Sequence, residues 1–369
     1  MRNARDEFRR GLRSRTPLVV VVALLAVVGI LAGIEEFVAS GAFTIIPEDR
    51  VMRIANDDYT HVSYRVAQLR RRPPTDPVVY LFGGSGTLEL LRTESTLSQA
   101  ITRCAGSPVQ VVDLAAHSQS MGQTLTIIDN LPSGQGLLAV GVSPNRFTKS
   151  PTEDLAELGG RTLALTSPDL AQLLRARGLS PHERLPGLLP GVFDFVISYL
   201  RARASLADLW LSALPYAHHY YADGPVASVA AKVAGSREEL KREEPLYCAN
   251  AAYNQALLAE IVRRGRARGY AVALFEQPLG PEASGRAWES YLARYHADVK
   301  ALARRLGVPY LNVSQQAHLR ISDFADLFHL VNSGRDKWTP PFARALARVL
   351  VRAGVVPSVT RVAADVRVR

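Results

Sequence analysis

Val78-Val79-Tyr80-Leu81-Phe82 is a run of five apolar residues that ends at the small residues Gly83-Gly84-Ser85-Gly86. A short continuous apolar run bounded by a turn signal is typical of a strand that is buried on both faces. Further runs of this kind follow along the chain, at residues 109–114, 137–140, 271–275 and, more weakly, 309–313. The sequence therefore predicts a sheet of buried strands.

Helical patterns separate these apolar runs, at residues 94–101, 123–130, 251–268, 288–306 and 335–352. Strands that alternate with helices imply right-handed crossover connections and parallel strands. We therefore expect an α/β fold with a doubly wound parallel sheet.

The composition describes a globular protein with a basic surface. The chain has 369 residues, 47% of them hydrophobic and 21% charged, so it can bury a large core. Its net charge is +10, and nearly all of the excess is arginine because only five residues are lysine. Such a surface attracts anionic lipid headgroups or acidic polymers. Nucleic acid is a weaker hypothesis, because no zinc-ligand spacing, basic helix or RNA-binding aromatic signature accompanies the charge.

An unbroken apolar run of 17 residues extends from Leu18 to Ile34. About 20 helical residues cross a hydrocarbon core, so we expect residues 17–39 to form a transmembrane anchor. Six arginines precede this run, at positions 2, 5, 9, 10, 13 and 15. By the positive-inside tendency, residues 1–16 are expected to be cytoplasmic and the rest of the chain extracytoplasmic. A cleaved signal peptide is the alternative, although Glu35 and Glu36 fit it poorly.

The remainder of the chain divides into three expected parts. Residues 40–76 are interpreted as a partly helical stalk followed by a rigid linker, because they close on consecutive prolines at Pro73-Pro74. Residues 77–355 form the predicted α/β domain. Its strand and helix alternation fails at about 150–246, which we interpret as a helical insertion. Residues 356–369 are a basic tail.

Two pairs of residues leave alternatives open. Cys104 and Cys248 are the only cysteines, and they are either a disulfide or two buried apolar side chains. His218-His219 suggests a metal site, but neighbouring side chains diverge and no carboxylate accompanies them, so surface or interface residues are favoured. We expect neither a metal nor another cofactor.

Ser85 is the first candidate for chemistry. Ligands of open α/β sheets bind beyond the carboxyl ends of the strands, where this serine follows the first strand. Flanking glycines permit a tight turn and the close approach of a substrate. A phosphate-binding loop is disfavoured, because Thr87 and Leu88 stand where its lysine is required. On its own, the motif is more typical of a structural turn.

Asp326 and His329 form the second candidate, near the other end of the domain. An aspartate three residues before a histidine can orient the imidazole and stabilise its charged form, as a general base for a serine requires. A helix cap or a surface role is the alternative for this pair when it is considered alone.

Together, the order serine, aspartate, histidine and the surrounding motifs resemble the SGNH (GDSL-like) hydrolase family over residues 77–352. Gly83-Gly84-Ser85-Gly86 is similar to the first block of that family, and the stretch from Leu114 to Thr124 is similar to its second block. Gly141-Val142-Ser143-Pro144-Asn145 occupies the place of the third block. Asp326 and His329 match the last block.

This resemblance implies a three-layer α/β/α fold and a catalytic triad of Ser85, Asp326 and His329. It also implies an oxyanion hole to which Gly122 contributes a backbone amide and Asn145 a side-chain amide. The sequence departs from the family pattern in two places. Gly84 replaces the usual aspartate, and three residues instead of one separate Gly141 from Asn145, so Asn145 lies two residues further from the glycine than the family pattern has it.

By the same resemblance, the expected activity is that of a serine esterase or O-acyltransferase. The single anchor, the extracytoplasmic domain and the helical insertion are similar to envelope proteins that O-acetylate exopolysaccharides or D-alanylate teichoic acid. The implied partners are an envelope glycan and a multi-pass membrane acyltransferase. A non-catalytic scaffold and a hydrolase of lipids or small esters are the alternatives. Gln277, after the fourth strand, either lines the pocket or belongs to a strand-ending turn.

Overall fold

In a computed structural model, the described residues are 17–52, 55–158, 165–179, 215–217, 228–280 and 289–357. They form one five-stranded, all-parallel sheet in the order β2-β1-β3-β4-β5. The strands are β1 (Val78–Phe82), β2 (Gln110–Asp113), β3 (Gly136–Val142), β4 (Ala271–Glu276) and β5 (Tyr310–Leu311). The predicted parallel α/β sheet is confirmed, and the weakest predicted strand is the shortest one.

Helices connect and cover these strands. They are α1 (Pro17–Ala39), α2 (Glu48–Val51), α3 (Asp58–Arg71), α4 (Ser85–Leu88), α5 (Glu94–Ala105), α6 (Met121–Asn130), α7 (Pro151–Leu158), α8 (Pro168–Arg175), α9 (Val229–Ala267), α10 (Glu289–Leu306), α11 (Ser314–Ala317) and α12 (Asn332–Arg352). The largest difference from the prediction is α9, which begins 22 residues before the predicted start at residue 251. Pro245 inside the helix and the charged residues before it conceal its apolar periodicity.

Alternate side chains of β1 enter two separate apolar cores. Val78, Tyr80 and Phe82 pack on one face of the sheet, with residues of α3, α6, α9 and α10. Val79 and Leu81 pack on the other face, with residues of α5 and α12. All five side chains of β1 are buried, because successive strand residues point to opposite faces and helices cover both.

Residues 58–71, which we expected in a stalk, form α3 and belong to the domain. Val62, Val66 and Leu69 of this helix are buried in the core beside the sheet. The preceding chain packs against α3 as well, since the Phe43 and Tyr64 rings meet edge to face with centroids 5.8 Å apart. The many polar residues of α3 hide this buried stripe from a search for continuous apolar runs.

The apolar residues 18–30 lie in α1 and are largely exposed. Leu18 is 71% exposed and Ile30 is 63% exposed. The side chains at positions 31, 34, 35, 38 and 39 lie outside the described residues. Counting only what is described, none of the helices has the length and apolar character needed to cross a membrane.

Only part of the expected insertion at 150–246 is described, chiefly α7, α8 and the start of α9. His218-His219 and the tail beyond residue 357 lie outside the described residues. Cys104 and Cys248 are both free and exposed. The hypothesis of a disulfide between them is therefore wrong, and so is the alternative that they are buried.

Candidate active site

Ser85 is the first residue of α4, immediately beyond the carboxyl end of β1. Gly84 precedes the helix as its N-cap, and its carbonyl accepts the N–H of Thr87 at 2.8 Å. A Cβ atom built on Gly84 would meet no other atom within 4 Å. The serine therefore lies on a sharp strand-to-helix turn with open space beside it. Its N–H belongs to the first helical turn, where backbone donors lack intrahelical acceptors.

Asp326 and His329 lie on a short loop whose ends pair with each other. Phe324 and Leu330 form an isolated antiparallel bridge at the base of this loop. Within it, the N–H of Ala325 donates to the carbonyl of His329 at 2.8 Å. The Asp326 carboxylate accepts the N–H groups of Phe328 and His329, each at 3.0 Å. The loop thus holds the aspartate in one orientation towards the histidine.

The structure brings Ser85, His329 and Asp326 into one hydrogen-bonded chain. His329 Nε2 lies 2.7 Å from Ser85 Oγ. On the other side of the ring, Nδ1 lies 2.6 Å and 2.8 Å from the two carboxylate oxygens of Asp326. An Nδ1–H that donates to Asp326 leaves Nε2 as the lone-pair nitrogen that faces the serine. This arrangement can remove a proton from Ser85.

The environment of Asp326 keeps its carboxylate ionised. Burial by itself raises the pKa of Asp326. The hydrogen bond and charge of His329, together with the N–H groups of Phe328 and His329, lower this pKa by more than burial raises it. The net effect is a pKa below the ordinary aspartate value. Asp326 is therefore charged at neutral pH, as it must be to stabilise a protonated imidazole.

A buried ion pair joins the segment that carries the serine to the segment that carries the histidine. The Arg335 guanidinium, on α12, hydrogen-bonds the carboxylate of Glu89, which directly follows α4. It also donates to the Glu89 carbonyl at 3.1 Å and to the Asn332 side chain at 2.7 Å. Both charged side chains are at most 1% exposed. Removing one partner of such a pair would leave an uncompensated buried charge, so both side chains are needed where the two segments meet.

Helix α9 reaches the same loop from the other side. Lys232 Nζ donates to the carbonyls of Ile321 at 3.2 Å and Phe324 at 2.5 Å. Glu239 lies two turns further along α9. Its pKa is raised, first by burial and then by the charge of Asp326. The sequence pattern placed these α9 residues in the insertion and carried no signal of their proximity to Asp326 and His329.

Gly122 lies in the first turn of α6, but its described contacts do not involve the triad. A Cβ atom at this position would come within 2.9 Å of the Asp154 carboxyl group. Asp154 is itself buried and accepts the hydroxyl of Tyr253 at 2.8 Å. These contacts give Gly122 a packing role. Its role as an oxyanion donor stays a prediction.

Asn145 lies in the 3₁₀ turn that follows β3, and its side chain is held in place. Its amide oxygen accepts the Ser143 hydroxyl at 2.6 Å. Among the described residues, no hydrogen bond joins Asn145 or Gly122 to Ser85 or His329. The amide nitrogen of Asn145 remains the predicted oxyanion donor.

A second residue without a sequence-based prediction is Glu89, the buried acidic residue that directly follows the helix of Ser85. A signal for it is present, because Glu89 is the one charged residue in the otherwise apolar run Leu88-Glu89-Leu90-Leu91. A charge inside an apolar run requires a buried partner. The partner could not be identified, because Arg335 is 246 residues away in sequence.

The comparisons with known proteins give no family for this chain: neither a protein-family model nor a curated protein matches it.

Proposed function

We propose that this protein is an SGNH-type serine esterase or O-acyltransferase that works through an acyl-enzyme. The hydrogen-bonded chain from Asp326 through His329 to Ser85 carries the proposal, with the 2.7 Å contact between His329 Nε2 and Ser85 Oγ as the deciding observation. The place of the serine beyond β1 and the parallel sheet also support it.

In the first half-reaction, Ser85 Oγ attacks the carbonyl carbon of an ester while His329 Nε2 takes the hydroxyl proton. The carbonyl oxygen becomes an oxyanion, for which the Ser85 and Gly122 N–H groups and the Asn145 amide are the proposed donors. As the carbon–oxygen bond to the leaving group breaks, His329 returns the proton to the departing alcohol. Ser85 then carries the acyl group.

In the second half-reaction, His329 takes a proton from an incoming hydroxyl group, whose oxygen attacks the acyl carbonyl. The bond to Ser85 Oγ breaks, and the proton returns to the serine. Water as the incoming group yields a carboxylic acid, and a sugar or polyol hydroxyl yields a new ester. The same three residues serve both outcomes, so hydrolysis and transfer differ only in the acceptor.

We further propose that α1 attaches the protein to a membrane, with the catalytic domain outside the cytoplasm. The exposed apolar side chains of α1, the unbroken apolar run and the preceding arginines support this placement. The proposed substrates are acyl esters of an envelope glycan. A multi-pass membrane acyltransferase is the proposed partner, in line with the resemblance of the sequence to envelope-modifying SGNH proteins.

A non-catalytic scaffold with the same fold is the second candidate. The observation that favours it is the departure in the third block, where three residues separate Gly141 from Asn145 and the amide oxygen of Asn145 is already bonded to Ser143. A protein that lost its oxyanion donors would lose about 100-fold to 1000-fold in rate for each donor.

The test is labelling of the detergent-solubilised full chain with a fluorophosphonate probe, which reacts with activated serines. Wild-type protein is expected to be labelled, and Ser85→Ala and His329→Ala are expected to abolish labelling. Ser95→Ala, which removes an exposed hydroxyl on α5 that hydrogen-bonds the neighbouring Thr93, serves as the control. A folded wild-type protein that is not labelled would exclude the enzyme and favour the scaffold.

A further inference from the structure

Gln277 directly follows β4, and its side chain reaches across the end of β3 to the nucleophile turn. The order of the sheet places β3 between β4 and β1. The backbone N–H of Gln277 donates to the carbonyl of Val142 at 2.9 Å, which fixes its place on β3. Its side-chain amide hydrogen-bonds the hydroxyl of Thr87, two residues after Ser85 in α4. One side chain thus links β4 to the helix that carries the nucleophile.

Three glycines leave the space that this amide occupies. At Gly83 and Gly141, a Cβ atom would lie 1.9 Å and 2.4 Å from the Thr87 hydroxyl oxygen, and 2.9 Å and 3.1 Å from the Gln277 amide nitrogen. At Gly86, a Cβ atom would lie 3.3 Å from the amide oxygen of Gln277. Side chains at these positions would displace Thr87, Gln277 or both. The glycines on both sides of Ser85 therefore serve Gln277 as well as the turn.

The contact between Gln277 and Thr87 is buried, which makes it specific. Gln277 is 3% exposed and Thr87 is fully buried. Water cannot replace either partner there, so a hydroxyl or amide that lost the other would be left unsatisfied. The chain beyond Gln277 is also tied to the loop of the histidine, because the N–H of Gly280 donates to the carbonyl of Leu327 at 2.9 Å.

We propose that Gln277 is a positioning residue for the nucleophile. By holding Thr87, it fixes the single turn of α4 and keeps Ser85 Oγ at hydrogen-bond distance from His329 Nε2. A four-residue helix has no other turn to stabilise it. This inference rests on the proposed serine chemistry for its effect on rate, but the contact itself is independent of that chemistry.

The test compares fluorophosphonate labelling rates of full-length variants. Gln277→Met removes the amide at similar length, and Thr87→Val removes the hydroxyl at equal size. Each is expected to label about 10-fold to 100-fold more slowly, the cost of a displaced reacting group. Thr87→Ser restores the hydroxyl and is expected to label at close to the wild-type rate. Gln277→Met and Thr87→Val each break the same hydrogen bond. The double variant should therefore label no more slowly than the slower of the two single variants.

Thr102→Val is the matched control. Its hydroxyl accepts the N–H of Val109 at 3.1 Å, far from the nucleophile, so its loss should reduce stability without changing the labelling rate. If Gln277→Met and Thr87→Val label as fast as Thr102→Val, the positioning role is excluded.

Amide hydrogen exchange separates the failure of this inference from the failure of the proposed activity. In Gln277→Met, the backbone amides of Leu88 and Glu89 are expected to exchange about 10-fold faster than in wild type, because the turn opens more often. If wild-type protein is not labelled, the enzyme proposal fails, and the exchange rates alone still decide the role of Gln277. Unchanged exchange would overturn it.

Discussion

On one side of the candidate site, hydrogen bonds run without a break from Asp326 through His329 to Ser85. The buried pair of Glu89 and Arg335 reinforces that side. On the other side, Gly122 packs on Asp154, and Asn145 is bonded to Ser143. The proton-transfer side is therefore complete within the protein, whereas the oxyanion side has no described contact with it.

This difference has a chemical explanation under the proposed mechanism. A nucleophile and its base are partners before a substrate arrives, so their hydrogen bond is present in the free protein. Oxyanion donors have their partner only when charge develops on the substrate oxygen. Catalytic contacts also tighten when the substrate binds. Substitutions on the two sides of the site are therefore expected to differ in their effects on activity and stability.

The largest effect is expected for Asp326→Asn. A neutral amide in place of the carboxylate does not stabilise the protonated imidazole, and it favours the wrong tautomer of His329. The expected cost is about 10⁴-fold in rate. The measurement is the rate of fluorophosphonate labelling. Asp336→Asn is the control, since Asp336 forms an exposed ion pair with Arg92 and such pairs contribute little. Equal rates for Asp326→Asn and wild type would contradict the triad.

A smaller effect is expected on the oxyanion side. If Asn145 donates to the oxyanion, Asn145→Ala lowers kcat for an ester substrate by about 100-fold to 1000-fold, with little change in KM. Ser143→Ala, which frees the amide oxygen, is expected to give a smaller loss of kcat. Asn130→Ala is the control, because Asn130 binds the carbonyls of Thr126 and Thr166. A kcat for Asn145→Ala equal to that of Asn130→Ala would show that Asn145 is not an oxyanion donor.

The smallest effect is expected for Gly122→Ala. Its Cβ would be forced to within 2.9 Å of the Asp154 carboxyl group, and overpacking of this kind costs about 1 to 3 kcal/mol of stability. Urea unfolding measures the change. Gly235→Ala on α9 is the control, because a Cβ there meets nothing within 4 Å, and alanine stabilises a helix by about 0.5 to 1 kcal/mol relative to glycine. No destabilisation in Gly122→Ala would contradict the packing role.

Local patterns in the sequence predicted the sheet, whereas Ser85, Asp326 and His329 were predicted as a triad from their order and from the resemblance to a known family. Each strand is a short apolar run between turn signals, and Ser85 and His329 stand beside such signals. The helix α3 could not be found in this way, because its buried residues Val62, Val66 and Leu69 are interspersed with polar ones. The start of α9 was missed for a related reason, since Pro245 interrupts its pattern.

The sequence by itself determined the alternation of strands and helices, because burial on both faces requires continuous apolar runs. Only the tertiary structure decided which distant side chains meet. Ser85 and His329 are 244 residues apart, and Gln277 and Thr87 are 190 residues apart. Such contacts depend on the order of the strands in the sheet, which brings the ends of β1, β3 and β4 to one edge. Local propensity carries no information about that order.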